Sequence, residues 1–235
     1  MKPLSQLALS VQLPDDETFA SYHDKLNQGV VKQLQSFLEQ KSDLAHSFYL
    51  FGLSSVGKSH LLHASSAYAA SQGKSSVCLS CAELINLPVA VLDGLEQIDL
   101  ICLDDIDLIA GNEQWQQAIF DLYNRVLEQN NYLLITGNES AQQLGISLPD
   151  LVSRLSWGFT EQIKPLDDDN KVLALQYRAG QRGLAVSDEA VRFLVNRSSR
   201  DMANLLDALD MLDKASIREL RTITIPFIKD ILNLN

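Results

Sequence analysis

Residues 52–59 read Gly52-Leu-Ser-Ser-Val-Gly57-Lys58-Ser59, two glycines, a lysine and a hydroxyl at the spacing G-x-x-x-x-G-K-S. Glycines permit a tight turn with positive φ, so successive backbone N–H groups point inward and cradle the α- and β-phosphates of a nucleotide. Lys58 supplies a point charge towards the β- and γ-phosphates, and the Ser59 hydroxyl suits Mg²⁺. A helix after the loop adds its positive dipole end to the same anion site. The flanks meet that need: Ser47–Phe51 is a short apolar run suited to a buried strand, and His60–Ala70 suits a helix. Gly52, Ser54, Ser55, Val56, Gly57, Lys58, Ser59 and His60 are the expected nucleotide-binding set. The loop grips phosphates and leaves the base unspecified.

Acids and amides downstream fit the same chemistry. Ile101-Cys-Leu-Asp104-Asp105 is an apolar strand ending in two carboxylates, the form of a Walker B motif. Asp104 is expected to hold Mg²⁺ through water, and Asp105 to polarise an attacking water. The next strand ends Thr136-Gly-Asn138, which places a polar side chain beside the γ-phosphate, the sensor-1 position; ordinary turn chemistry also accounts for an Asn there. Arg154 is a single arginine in the apolar stretch Pro149–Gly158. Presented at a subunit edge, such an arginine stabilises charge on a neighbour's γ-phosphate, worth about 10³–10⁵ in rate. An ion pair with Asp150 is the plainer alternative. Arg200, opening a later helix, is placed to reach over the chain's own nucleotide, or else is a solvated helix-start residue.

These residues need strands to aim them and helices to back the strands. Short apolar runs at 47–51, 76–81, 99–103, 132–136 and 159–163 alternate with helical stretches at 27–40, 60–70 and 116–129. That alternation implies a parallel five-stranded sheet covered on both faces. Residues 82–95 read as helical or irregular, broken by Pro88. From Pro165 only helices are required. Asp167–Asn170 caps one that runs to Gly180–Gly183, Ser187 a second and Ser198 or Ser199 a third, while Thr224 and Pro226 open a fourth. A short strand over Thr222–Thr224 is the one exception expected there. The domains are thus a mobile tail at 1–22, an α/β core at 23–165 and an all-helical lid at 166–235.

Composition narrows the partners. Nineteen Lys and Arg against 30 Asp and Glu give a net charge of -11, without a basic cluster, so direct duplex DNA binding is not the expected activity. No apolar run approaches the ~20 residues of a bilayer span, and Met1–Gln6 lacks a signal-peptide core, so a cytoplasmic protein is expected. Cys78-Leu-Ser-Cys81 lacks the second ligand pair that a zinc site needs, and Cys78, Cys81 and Cys102 read as core residues. His60 and His63 share a helical face without a third ligand.

Taken together, these motifs resemble the AAA+ nucleotide-binding class, and more narrowly the DnaA initiator lineage. Leu103-Asp-Asp-Ile-Asp107, Ser153-Arg-Leu-Ser-Trp-Gly158 and Ser199-Arg-Asp-Met202 are similar to the initiator's Walker B, box VII arginine and sensor-2 segments. The sequence ends at Asn235, soon after the lid, so the initiator's helix-turn-helix DNA-binding domain is expected to have no counterpart. Leu13–Ser21, Ala118–Arg125, Leu148–Leu151 and Leu220–Leu232 resemble the Hda branch, whose members inactivate DnaA. That resemblance implies ADP and Mg²⁺ as ligands, and a tail that binds the DNA polymerase sliding clamp through Gln6, Leu7, Leu9 and Val11. It also implies that Arg154 acts in trans on ATP held by DnaA, so that DnaA rather than this chain turns over ATP. DNA is then reached only through the clamp, and a homo-oligomer, most simply a dimer, is expected. A self-sufficient AAA+ ATPase of the helicase-loader or transposition-helper kind is the main alternative, and a plain nucleotide-dependent interaction module the third.

Overall fold

The computed structural model describes residues 17–22, 26–39, 45–198 and 201–234. Gln6, Leu7, Leu9, Val11 and Arg200 lie outside the described residues. Five segments pair as one parallel sheet: β1 (Ser47–Phe51), β2 (Ser76–Ser80), β3 (Leu100–Asp104), β4 (Tyr132–Gly137) and β5 (Phe159–Gln162). Their order across the sheet is β2-β3-β4-β1-β5, so β1, which leads into the P-loop, lies beside β4 and one strand from β3. The three inner strands are continuous apolar runs because both faces are covered.

Alternation along β1 assigns the two faces. Phe48 and Leu50 point towards α1 (Gln28–Glu39) and α2 (Lys58–Ser71), where they meet Phe37, Leu61, Leu62 and Leu134. Tyr49 points the other way, into a cluster with Leu103, Ile119, Leu122 and Ile135 under α4 (Glu113–Glu128) and α5 (Pro149–Trp157). Between β2 and β3 the chain forms α3 (Cys81–Leu84) and two short 3₁₀ pieces at Val89–Leu92 and Leu95–Gln97. Both Cys81 and Cys102 are buried, and burial raises the Cys81 thiol to about 12. Cys78 sits opposite Cys102 in the β2–β3 register, so the C-x-x-C spacing belongs to the core.

The helical part has its own apolar centre. Val172, Leu175, Leu194, Leu205, Leu209 and Phe227 pack together from α6 (Asp168–Gln181), α7 (Asp188–Arg197), α8 (Met202–Glu219) and α9 (Ile225–Leu232). Asp167, Ser187 and Thr224 accept from the N–H groups of Asn170, Ala190 and Phe227, as capping requires. The expected serine cap of α8 is replaced by Asp201, which accepts from Ala203 N at 3.1 Å. An aspartate serves there because its charge also meets the helix dipole. Asn112 likewise caps α4, which begins three residues before the expected Gln116. The strand expected over Thr222–Thr224 reduces to a single bridge between Val186 and Ile223. None of the described helices is long and apolar enough to cross a membrane.

Gly158 joins α5 to β5 where there is no room for a side chain. A Cβ there would lie 2.1 Å from Ser47 Oγ and 2.4 Å from Ser47 O. Ser47 Oγ is already hydrogen-bonded to the Tyr123 hydroxyl, 2.6 Å away. Gly158→Ala is expected to cost about 1–3 kcal/mol through overpacking. The check is a lower urea midpoint at unchanged m-value; an unmoved midpoint would show that the junction yields.

Candidate nucleotide site

The loop between β1 and α2 has the backbone that a phosphate cradle requires. Ser55 and Gly57 take positive φ, 62° and 95°. A Cβ on Gly57 would lie 2.8 Å from the Tyr22 ring, and one on Gly52 2.5 Å from the Ile163 carbonyl oxygen. Gly52 is therefore needed for space against backbone, and Gly57 for its left-handed φ. Lys58 opens α2 and is 5% exposed. Its Nζ donates to Gly52 O at 2.9 Å, Leu53 O at 3.0 Å and Asn138 Oδ1 at 3.0 Å. Three acceptors match the three donors of an ammonium. Burial lowers the Lys58 pKa, against the opposing pull of Asp105, Asp104 and Asp107.

The acids stand at the end of β3, joined to β4 by Thr136. The Thr136 hydroxyl donates to the Asp104 carboxylate and accepts from Asp105 N at 2.9 Å. Asp105 adopts φ 55°, a left-handed conformation uncommon for a residue with a side chain. Burial, then the charges of Asp104 and Asp107, raise its pKa against the pull of Lys58, which makes it a stronger proton acceptor than an ordinary aspartate. Asp107 holds Asn138 at two points, accepting from the backbone N–H at 3.1 Å and from Nδ2 at 2.8 Å.

A cleft of about 380 Å³ connects these groups. Ser54, Ser55, Val56, Gly57, Lys58, Ser59 and His60 line one wall with Asp105 and Asn138. Ala174, Met202 and Leu206 of the lid supply an apolar wall suited to a base. A loop with positive-φ residues, a buried cation and a helix N-terminus, together with apolar lid carbons, fit a nucleotide. For Mg²⁺ the fitting groups are Ser59, which lines the cleft, and Asp104, which lies behind it on Thr136. Among the described residues no three His, Cys, Asp or Glu gather as a metal site. That suits a Mg²⁺ held largely by phosphates and water.

Arg154 lies elsewhere, outside the residues that line the cleft. Its guanidinium stands over the rings of Tyr123 (5.8 Å) and Trp157 (5.6 Å), and Trp157 is 69% exposed. Tyr123 also donates its hydroxyl to the Arg154 carbonyl at 3.0 Å. Among the described residues Arg154 makes no ion pair with Asp150 or another carboxylate. The lid arginine that does reach the cleft is Arg178 of α6, a residue the sequence motifs passed over. Glu17, Ser21 and Tyr22 also line the cleft. His60 Nε2 is within hydrogen-bond distance of Thr18 O (3.0 Å) and Ser21 Oγ (3.2 Å). No motif marks Tyr22 or Arg178; the nearest signal for Glu17 is its place in Leu13–Ser21, and that for Asp107 its place in Leu103-Asp-Asp-Ile-Asp107.

Two family models match the chain: the bacterial DnaA ATPase domain over residues 13–162, and the lid domain of Hda over residues 168–232. Among solved structures, domain III of the Thermotoga maritima replication initiation protein DnaA superposes with a TM-score of 0.82 at 15% identity, covering 94% of this chain and 98% of that one. AMPPCP-bound DnaA from Aquifex aeolicus gives 0.73 at 20% identity over 88% of this chain and 68% of that one. The Thermotoga maritima RuvB Holliday junction branch migration motor gives 0.71 at 13% identity over 94% and 72%. At such identities the likeness is one of fold.

One carboxylate ties the segment at 17–22 to both core and lid. Glu17 Oε2 lies 2.6 Å from His63 Nδ1 and Oε1 lies 3.5 Å from the Arg178 guanidinium. For Glu17, burial raises the pKa, but the His63 hydrogen bond and the charges of His60, His63 and Arg178 outweigh it and the net shift is downward from 4.5. The bond to Glu17 raises His63 above its ordinary 6.5, against burial. His63 therefore contributes stability fully below pH 6.5 and loses it as pH climbs through its raised value. Glu17 contributes fully above pH 4.5 and loses it as pH falls through its lowered value. The melting-temperature deficit of Glu17→Gln is expected to be greatest between pH 4.5 and 6.5 and to shrink in alkali. A deficit independent of pH would contradict this pairing.

Proposed function

The chain belongs to the family of bacterial DnaA ATPase domains, with an AAA+ core and an Hda-type lid, and on that premise we propose that it regulates replication initiation by acting on DnaA. In this reading the cleft holds ADP with Mg²⁺ as a structural ligand. The loop N–H groups and Lys58 bind the phosphates, while Ser59 and Asp104 hold the metal. Bound Mg²⁺ supplies neutralisation of phosphate charge. Arg154 completes the hydrolysis site of a neighbouring DnaA molecule, whose ATP becomes ADP. The tail residues Gln6, Leu7, Leu9 and Val11 dock the protein on the sliding clamp, and the chain self-associates as a dimer until DnaA takes the neighbour's place.

The observation that carries this reading is the position of Arg154. It stands outside its own cleft, without a carboxylate partner among the described residues, on aromatic rings of which one is largely exposed. An arginine so held keeps its full charge and its donors for a partner's phosphate. One observation favours a second reading, hydrolysis in the chain's own cleft: Lys58, Asp105 and Asn138 line it together, with Lys58 Nζ 3.0 Å from Asn138 Oδ1. A self-sufficient ATPase would turn over ATP briskly alone.

The test is hydrolysis of ATP preloaded on DnaA, with clamp and DNA present. The wild-type chain is expected to accelerate it, and Arg154→Ala to remove the acceleration, by up to about 10³-fold. Undiminished acceleration by Arg154→Ala would refute the trans role. On immobilised clamp, the double variant Gln6→Ala, Leu7→Ala is expected to be lost in washing; retention equal to wild type would remove the tail from the account.

A further inference from the structure

The arginine outside the cleft is held at both backbone and side chain by one buried residue of α4. Tyr123 is fully buried, and its hydroxyl stands 3.0 Å from the Arg154 carbonyl oxygen and 2.6 Å from Ser47 Oγ at the start of β1. A carbonyl oxygen can only accept, so the single phenol proton goes to Arg154 and the Ser47 hydroxyl donates to the phenol oxygen. Arg154 lies in the last turn of α5, where the final four carbonyls have no partner within the helix. Tyr123 therefore satisfies a carbonyl that the helix leaves open, and links it through Ser47 to the middle of the sheet.

The ring of the same residue carries the guanidinium. Arg154 Cζ is 5.8 Å from the Tyr123 centroid and 5.6 Å from that of Trp157, three residues on and largely exposed. Both distances fall within the ~6 Å over which a cation is drawn to an aromatic face. A free arginine samples many rotamers, and a group that must meet a phosphate of another molecule loses rate if those rotamers are frozen only at the encounter. A carboxylate would also hold the side chain, but it would occupy the N–H donors that a phosphate needs; aromatic faces leave them open. We propose that Tyr123 is a positioning residue for the trans arginine: its hydroxyl fixes the Arg154 backbone, and its ring, with that of Trp157, holds the guanidinium outside the cleft. The proposal rests on the trans role of Arg154 and adds the residues that aim it.

The test is the rate of hydrolysis of DnaA-bound ATP against rising concentrations of the full chain, with clamp and DNA present. Tyr123→Phe keeps the ring and removes the hydroxyl. It is expected to lower the maximal rate about tenfold at a nearly unchanged half-saturating concentration. Ser47→Ala takes one hydrogen bond from the same buried phenol but leaves the bond to Arg154, so its maximal rate is expected within about twofold of wild type. Trp157→Ala, at the surface, spares the core and is expected to lower the maximal rate about threefold. A loss in Tyr123→Phe no greater than that in Ser47→Ala would mark a merely structural role and overturn the proposal, as would an undiminished maximal rate in Trp157→Ala. Loss of acceleration in Arg154→Ala beside a full rate in Tyr123→Phe would sink the positioning role alone. Full acceleration by Arg154→Ala would remove the trans reading and the proposal with it.

Discussion

A lysine ammonium with only 5% of its residue surface exposed must be compensated on every side, and much of this cleft is arranged by that demand. An unpaired charge buried so far costs several kcal/mol even after relaxation, as an order of magnitude. Lys58 avoids that cost through two loop carbonyls, one amide oxygen and the field of three aspartates. The compensating groups come from three parts of the sheet: Gly52 and Leu53 follow β1, the aspartates end or follow β3 and Asn138 follows β4. The parallel order β2-β3-β4-β1-β5 brings those three strand ends side by side.

The same cleft is where three parts of the chain meet. Core, lid and the segment at 17–22 all line it, and Glu17 contacts His63 of α2 and Arg178 of α6 together. Tyr22 stands 2.8 Å from where a Gly57 side chain would begin, so the segment is packed directly on the phosphate loop. Such contacts give a bound nucleotide leverage on the lid and on the root of the N-terminal segment, because a ligand shifts whatever equilibrium its own contacts discriminate. They suit a nucleotide that shapes an interaction surface in the proposed role.

How much of this was legible follows from the range of each interaction. The P-loop, the acids after β3 and the alternation of strands and helices rest on neighbours in sequence, and pattern reveals them. Lid helix starts were legible too, except that Asp201 rather than a serine caps α8. Strand order was not, because crossovers leave no local trace. Asp107 and Asn138, 31 residues apart, are joined only by the β3–β4 pairing. Glu17 and Arg178, 161 apart, meet only when the lid folds over the core. Arg154 was visible as a lone arginine, but its seat on Tyr123 and Trp157 depends on α4 and α5 packing together.

In the proposed role labour is divided between two nucleotides: one retained in this chain's cleft, the other hydrolysed in a partner under Arg154. The most direct measurement is a single-turnover experiment in which DnaA carries labelled ATP and this chain carries unlabelled ADP, with clamp and DNA present. The account predicts that labelled phosphate is released rapidly in the mixture, and that this chain given ATP alone releases almost none. Rapid release by this chain alone, with no acceleration in the mixture, would contradict it.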